Sequence, residues 1–381
     1  MDVQQDQQLI TGLIREYYAS AAIAPYKTES REFGVGTFER KIMYRHLSFQ
    51  NPSVLMSYLA EKGPPYVSYS SAYYSRPSSR PMETKGLIGS ELVFDLDATD
   101  MRLPCQSIHG RSWVCSVCLD AVKAETIKLA EDFLIRDFGF LEKELEINFS
   151  GNRGYHIHIK KESVLKLGAA ERKQISDYIA GNGLDIELLF PTMGQRGVRL
   201  IGPKPSDKGW KGRLARGTLS LLEKSPEELV SLGIERKEAA NLHSKRALIA
   251  MGIKNGNWDM VYIKNKAAFW KLTLSKQAIS QSDRIDGNVT NDPSHLIRLP
   301  DSIHGETGLS AKRINSLAEL ANYEPLDEAI AFSKGEVTVI AESRDEFTMK
   351  GSTFGPYHSE RVELPSYAGV YLVLKGRAHF A

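Results

Sequence analysis

Glu91-Leu-Val-Phe-Asp-Leu-Asp-Ala98 is the stretch from which the rest of the chain can be read. Leu92, Phe94 and Leu96 alternate with Val93, Asp95 and Asp97, a period of two that predicts a strand with one apolar face. Asp95 and Asp97 then leave the same side of the strand, their Cα atoms about 7 Å apart. Two carboxylates held so close repel each other, and a divalent cation is the usual remedy. Hard cations such as Mg²⁺ bind through one or two carboxylates and complete their shell with water and substrate phosphates. The same spacing also fits a half-buried strand whose polar face is acidic, so the pair alone leaves both readings open.

Immediately downstream lie all three cysteines of the chain, Cys105, Cys115 and Cys118. An odd count argues against a disulfide framework, and their clustering calls for a metal. With His109 they form Cys-x3-His-x5-Cys-x2-Cys, three thiolates and an imidazole within fourteen residues. That set suits tetrahedral Zn²⁺, and four protein ligands leave no open position for catalysis, so the expected role is structural.

Farther on, Leu145-Glu-Ile-Asn-Phe149 and Tyr155-His-Ile-His-Ile159 read as two strands around the turn Ser150-Gly-Asn-Arg-Gly154. Tyr155, Ile157 and Ile159 share one face, His156 and His158 the other. The two glycines let backbone approach a ligand closely, Ser150 offers a hydroxyl, and Arg153 offers a planar fork for phosphate oxygens. His156 can add a further donor; His158 is expected to be structural. A late run from Asp286 through Asn291, Asp292, His295 and Arg298 to His304 places an acid, a cation and a histidine within nineteen residues. Asp283, Asp292 and Asp301 are rival acids there that spacing cannot rank.

Helical periodicity predicts an amphipathic helix near Leu9–Tyr18, a helix over 119–140 with Val122, Thr126, Leu129, Ala130, Phe133 and Leu134 on one side, and another near 169–180. Ser225-Pro-Glu-Glu228 supplies an N-cap, a proline at the first helical position and a glutamate three residues after the cap. Before it, residues 196–217 carry seven basic residues against one acid, Asp207, with Trp210 among them. Such a stretch fits a solvated loop or a track for a nucleic-acid backbone. The closing Pro365-Ser-Tyr-Ala-Gly-Val-Tyr-Leu-Val-Leu374 reads as a last helix.

These pieces sit in 381 residues with 49 Lys plus Arg against 47 Asp plus Glu, a net charge of +2, 42% hydrophobic and 25% charged. The composition excludes disorder, and near-neutrality excludes nucleic-acid binding by overall charge alone while permitting local basic surfaces. No apolar run is long enough for a membrane span, and the start has neither a basic nor an apolar leader region, so no membrane association is expected. The expected fold class is α+β: a mixed or antiparallel sheet core flanked by helices, with a peripheral zinc segment at 103–119. The expected organisation is a core in two parts, 1–203 and 258–381, interrupted by a basic and helical insertion at 204–257.

In order as well as content, the motifs resemble those of the catalytic small subunit of the archaeal and eukaryotic type of DNA primase, most closely the archaeal form. Arg31-Glu-Phe-Gly34 resembles the family's N-terminal motif and Val93–Asp100 its paired-aspartate motif. The Cys/His segment, SGNRGYH at 150–156, HLIRLPDSIHGETG at 295–308 and the closing ELPSYAGVYLVLKGRA at 363–378 follow in family order. The resemblance implies a primase-polymerase fold and a nucleotidyltransferase that synthesises short primers de novo on single-stranded DNA for replication, with primer extension as a further activity. It implies that Asp95, Asp97 and Asp286 hold two Mg²⁺ or Mn²⁺ ions, that Zn²⁺ sits on Cys105, His109, Cys115 and Cys118, and that Ser150, Arg153, His156, Arg298 and His304 grip the nucleotide triphosphate. Arg31 is a further candidate for that pocket. The family often has a second basic residue in the SGxRG loop, where this chain has Asn152. The implied partners are a large primase subunit in a heterodimer, a single-stranded DNA template and NTP or dNTP, in the cytoplasm of an archaeal-type cell at the nucleoid.

Three carboxylates with phosphate-binding Arg and His serve hydrolysis as well, so a two-metal nuclease or phosphoesterase is one alternative. An end-joining type of polymerase is another, and a non-catalytic zinc-stabilised nucleic-acid module a third.

Overall fold

A computed structural model describes residues 3–101, 103–110, 113–191, 197–264, 266–279, 290, 292 and 294–381. Its strands in the first part of the chain are β1 (Phe33–Gly36), β2 (Tyr44–Leu47), β3 (Tyr66–Ser70), β4 (Ala72–Tyr74), β5 (Leu87–Ser90), β6 (Leu92–Asp97), β7 (Leu145–Phe149) and β8 (Gly154–Ile159). The later strands are β9 (Leu296–Arg298), β10 (Arg313–Ile314), β11 (Glu336–Ser343), β12 (Phe347–Met349), β13 (Ser352–Phe354), β14 (Tyr357–Pro365) and β15 (Ala378–Phe380). The described chain divides into two compact units: residues 1–130, 141–173 and 282–381 in the first, and 131–140 with 174–281 in the second. The expected insertion at 204–257 lies wholly inside the second.

Two four-stranded sheets carry the first unit, ordered β2-β1-β3-β9 and β10-β7-β8-β6. All pairings between named strands are antiparallel, which gives the expected α+β class. In the second sheet the alternation of β6 is matched strand by strand: Phe94 lies opposite Ile157, and Ile157 opposite Ile147. These residues are buried, as are Leu92, Tyr155, Ile159 and Phe149. Helix Ser116–Lys128 packs on β6 and β8 and buries Leu119, Val122 and Thr126. The opposite face carries Asp95, His156 and Asn148 in one cross-strand row, and Asp97 beside Gly154. The period-two pattern thus assigns one face of the sheet to the core and the other to chemistry.

The N-terminal helix runs over Val3–Ser20 and buries Asp6, Ile10, Ile14 and Tyr18, a stripe at i, i+4 spacing. A three-stranded sheet, β14-β11-β15, supports the closing helix Ser366–Leu374. The helix expected over 119–140 is α-helical through Lys128 and takes wider π turns over Leu129–Ile135.

The second unit is helical. Helix Ala169–Ala180 falls on the expected residues, with 174–180 in this unit, and the chain after Ser225 forms three helices, Pro226–Ser231, Arg236–Ser244 and Arg246–Lys254. The first begins with the expected capping box: Ser225 Oγ accepts from Glu228 N at 3.2 Å, and Glu228 accepts from Ser225 N at 2.8 Å. Phe190 stacks on Trp270, and Trp258 meets both edge-on, with ring centroids about 5 Å apart in the core of this unit. Within the basic run at 196–217, Trp210 and Arg213 are turned away from solvent and from any nucleic-acid track. Trp210 and Arg213 are buried on helix Gly209–Leu222; Trp210 donates to Tyr178 O at 2.9 Å, and Arg213 ion-pairs with Asp137 over the Phe133 ring. An arginine in that position serves packing as much as charge. Lys204, Lys208 and Lys211 stay exposed, and Arg196 lies outside the described residues.

Candidate active site

Strand β6 presents Asp95 and Asp97 to an open cleft of about 260 Å³, lined also by Lys41, Ser68, Ser150, Asn152, Arg153, His156, His295, Arg298 and His304. Asp97 is fixed locally: its Oδ1 accepts from Thr99 N at 2.8 Å and from Thr99 Oγ1 at 2.7 Å. Arg153 Nε stands 3.3 Å from the same carboxylate, and His156 Nε2 stands 3.5 Å from Asp95 Oδ1. Solvent still reaches the Asp95 side chain. Desolvation first, then the neighbouring charges of Asp97 and Asp100, push its carboxyl up to about 7. A cation bound at this pair would restore the charge, and one or two carboxylates are what a hard divalent ion asks of a protein. The donor set therefore fits catalytic metal binding. Asp286 and Asp283, two of the candidate third acids, lie outside the described residues. Asp292 is exposed and accepts from Ser294, and Asp301 ion-pairs with Arg313 at 2.9 Å.

The SGNRG turn folds over its own serine: Ser150 Oγ accepts from Gly154 N at 3.0 Å and from Asn152 N at 3.4 Å, leaving the hydroxyl proton to donate. Gly151 has φ +82° and sits so close to His304 that a Cβ there would meet the histidine's Cβ at 2.9 Å. Only glycine lets this turn lie against the late motif. That late motif reaches the cleft on β9, which pairs with β3 and places Arg298 opposite Ser68, with its guanidinium over the Tyr66 ring. His304 Nδ1 accepts from Glu306 N at 3.2 Å, so Nε2 carries the proton as a donor. Burial, then neighbouring cations beginning with Arg298, hold His304 well below the usual histidine range. His156 is held low by burial and by His158 and Arg298. Both imidazoles are neutral donors beside two arginines. Next to His156, Asn148 is buried with neither amide atom partnered among the described residues.

Five of the expected contact residues, Ser150, Arg153, His156, Arg298 and His304, thus meet in one cleft with Asp95 and Asp97. Arg31 does not. It is fully buried, ion-paired with Glu91, and donates to Tyr26 O, Ser70 O and Tyr73 Oη. His158, structural as expected, meets the same Glu91 through Nδ1 at 2.8 Å. The physical reason is local: Arg31 precedes β1 on the side packed against β3 and β4, where a buried glutamate demands a cation. Sequence reading passed over Lys41, His295 and Glu306. Lys41 and Glu306 lie in turns with no periodicity, and the spacing around His295 gives it no role of its own.

Beside this cleft in sequence, the Cys/His cluster closes as expected. Sγ atoms of Cys105 and Cys118 are 3.4 Å apart, those of Cys115 and Cys118 3.7 Å, and His109 Nε2 is 3.5 Å from Cys118 Sγ. All four ligand atoms lie within 4.8 Å of one another. A tetrahedron of about 2.3 Å metal–sulfur bonds has edges near 3.8 Å, so the cluster can hold zinc. His109 Nδ1 lies 2.7 Å from Gly110 O; donation there leaves Nε2 free to ligate.

The comparisons with known proteins agree with the geometry. Residues 94–316, more than half of the chain, match the family described as DNA primase small subunit. The chain is 34% identical to the DNA primase small subunit of Methanococcoides burtonii over 96% of both chains, and 34% identical to that of Methanothrix thermoacetophila at the same coverage. It is 32% identical to that of Archaeoglobus fulgidus, again over 96% of each chain. By class, then, it is a metal-dependent nucleotidyltransferase. The chain belongs to the DNA primase small subunit family, in its archaeal form, and this placement decides against the nuclease and non-catalytic readings.

Proposed function

We propose that this chain makes short primers de novo on single-stranded DNA, using Asp95 and Asp97, with Asp286 as third acid, to hold two Mg²⁺ or Mn²⁺ ions. The observation that supports this most is the placement of both β6 carboxylates in one cleft with Arg153, His156, Arg298 and His304. When bound, the metals would lower the pKa of the attacking 3′-hydroxyl and neutralise charge developing on the leaving pyrophosphate. Arg153 and Arg298 bind phosphate oxygens through their planar forks, and His304 Nε2–H and the Ser150 hydroxyl donate to the same group. His156, neutral, faces Asp95 through Nε2 and donates that proton to the carboxylate or to the substrate beside it. Catalysis is then mainly positioning and charge neutralisation.

The working unit pairs this chain with a large primase subunit, on a DNA template with NTP or dNTP, in the cytoplasm at the nucleoid. No helix among the described residues is long and apolar enough to cross a membrane. Incubation with unprimed single-stranded DNA, Mn²⁺ and labelled nucleotides should give short products. Cleavage of the template without synthesis would overturn the assignment.

Two variants probe its parts. His304→Ala should raise the nucleotide KM about tenfold, the worth of one good hydrogen bond to a charged group. An unchanged KM would remove His304 from the pocket. Zinc on the Cys/His cluster is structural in this proposal, so Cys115→Ser should lose bound zinc and lower Tm, by about 2–4 °C for each kcal/mol lost. A variant with one zinc per chain and an unchanged Tm would show the ligand set to be wrong.

A further inference from the structure

A carboxylate stands behind two residues that line the cleft, Lys41 and Asn152. Glu306, two residues beyond His304, is about a third exposed and lies near the phosphate-binding side chains. Its Oε2 accepts from Asn152 Nδ2 at 3.0 Å, which ties the late motif to the SGNRG turn. Its Oε1 meets Lys41 Nζ at 3.0 Å. Burial alone would raise its carboxyl, but the ammonium of Lys41, followed by Lys375 and Arg153, brings it below the usual range. Glu306 is therefore an anion surrounded by cations rather than a bare charge facing the substrate.

Lys41 is not a casual surface lysine. It lies in the turn joining β1 to β2, where Thr37 N donates to Arg40 O at 2.9 Å and Arg40 N to Thr37 O at 3.2 Å. Met43 N then donates to Val35 O at 2.9 Å, and the β1–β2 pairing shifts register between Phe33 and Val35. A bulge of this kind at a sheet edge re-aims the side chains that follow it. Gly36 lets the turn close, since a Cβ there would come within 2.3 Å of the carbonyl oxygens of both Arg40 and Lys41. The backbone is thus pinned, while the side chain, 56% exposed, lines the cleft with Asp95, Asp97, Arg153 and Arg298.

We propose that Lys41 is a further triphosphate-binding residue, carried to the cleft by the β1–β2 turn and held there by Glu306 until a nucleotide enters. The ammonium has three donors and needs only one for Glu306. Asn152, which shares the Glu306 carboxylate, has no charge of its own to offer; of the two lysines near Glu306, Lys41 and Lys375, Lys41 is the one that lines the cleft. This inference rests on the reading of the cleft as a triphosphate site.

The test is a double-mutant cycle on the full chain with its large subunit, measuring the KM for ATP on a primed template and the inhibition constant of inorganic tripolyphosphate. Lys41→Ala should raise both about tenfold, outrunning any fall in kcat, and should do so again in a Glu306→Gln background. If the effect vanishes when Glu306 is neutral, Lys41 only masks a carboxylate and the proposal fails. It fails equally if Lys41→Ala leaves both constants unchanged. Arg153→Ala is the control for the underlying reading. Raised constants there with none for Lys41→Ala overturn the role of Lys41 alone, and unchanged constants for Arg153→Ala overturn the triphosphate cleft itself.

Discussion

Asp97→Asn should lower nucleotide incorporation by about a thousandfold or more, equivalent to about 4 kcal/mol of transition-state stabilisation, while leaving the fold in place. The amide is nearly isosteric, and its oxygen can still accept both Thr99 bonds that fix Asp97 at the end of β6. What it cannot do is supply negative charge to a divalent ion or to Arg153. The side chain is about a third exposed, so losing that ion pair costs little stability. Primer synthesis and a thermal melt on the same preparation separate the effects. Retained synthesis would mean that the metals sit elsewhere, and lost synthesis with a collapsed melt would move Asp97 from chemistry to folding.

The second large effect is on stability. Arg31→Met should cost about 3–5 kcal/mol, because it leaves Glu91 as an unpaired buried charge. Burial by itself would raise the Glu91 carboxyl; Arg31, then the hydrogen bond and charge of His158, hold it well below the usual carboxylate range. Tyr73 Oη also donates to Glu91, so removal of the guanidinium disturbs a network that joins β4 to β8. Denaturant unfolding measures the loss, and Arg31→Met with Glu91→Gln should recover part of it by removing the orphaned charge. Nucleotide KM in the folded fraction should not change. A stable Arg31→Met protein with a raised KM would put the side chain in the pocket after all.

That contrast shows what can be read from residues in order. Alternation in β6, β7 and β8 reveals both the sheet and its chemical face, since a period of two forces Asp95, Asp97 and His156 to the side opposite Phe94 and Ile157. The Cys/His spacing is short enough for the chain itself to bring the ligands together, and Ser225 with Glu228 caps its helix through contacts three residues apart. Arg31, a candidate for the pocket by its motif, is buried instead because its environment is set by a partner sixty residues away, Glu91. Trp210 and Arg213 look like a nucleic-acid track in a basic run, yet Phe133, Asp137 and Tyr178 enclose them through contacts the run does not contain. The same long-range packing draws residues 131–140 into the second unit. Lys41 is illegible for a related reason: its place in the cleft depends on a turn closing over Gly36, and no hydrophobic pattern marks it.

The central claim, that the β6 carboxylates hold catalytic metal beside a triphosphate cleft, is tested most directly by Mn²⁺ binding. Paramagnetic resonance of Mn²⁺ titrated into the protein with a non-incorporable nucleoside triphosphate should show nucleotide-dependent binding, weakened at least tenfold in Asp95→Asn and Asp97→Asn. Mn²⁺ affinity unchanged in both variants would contradict the assignment.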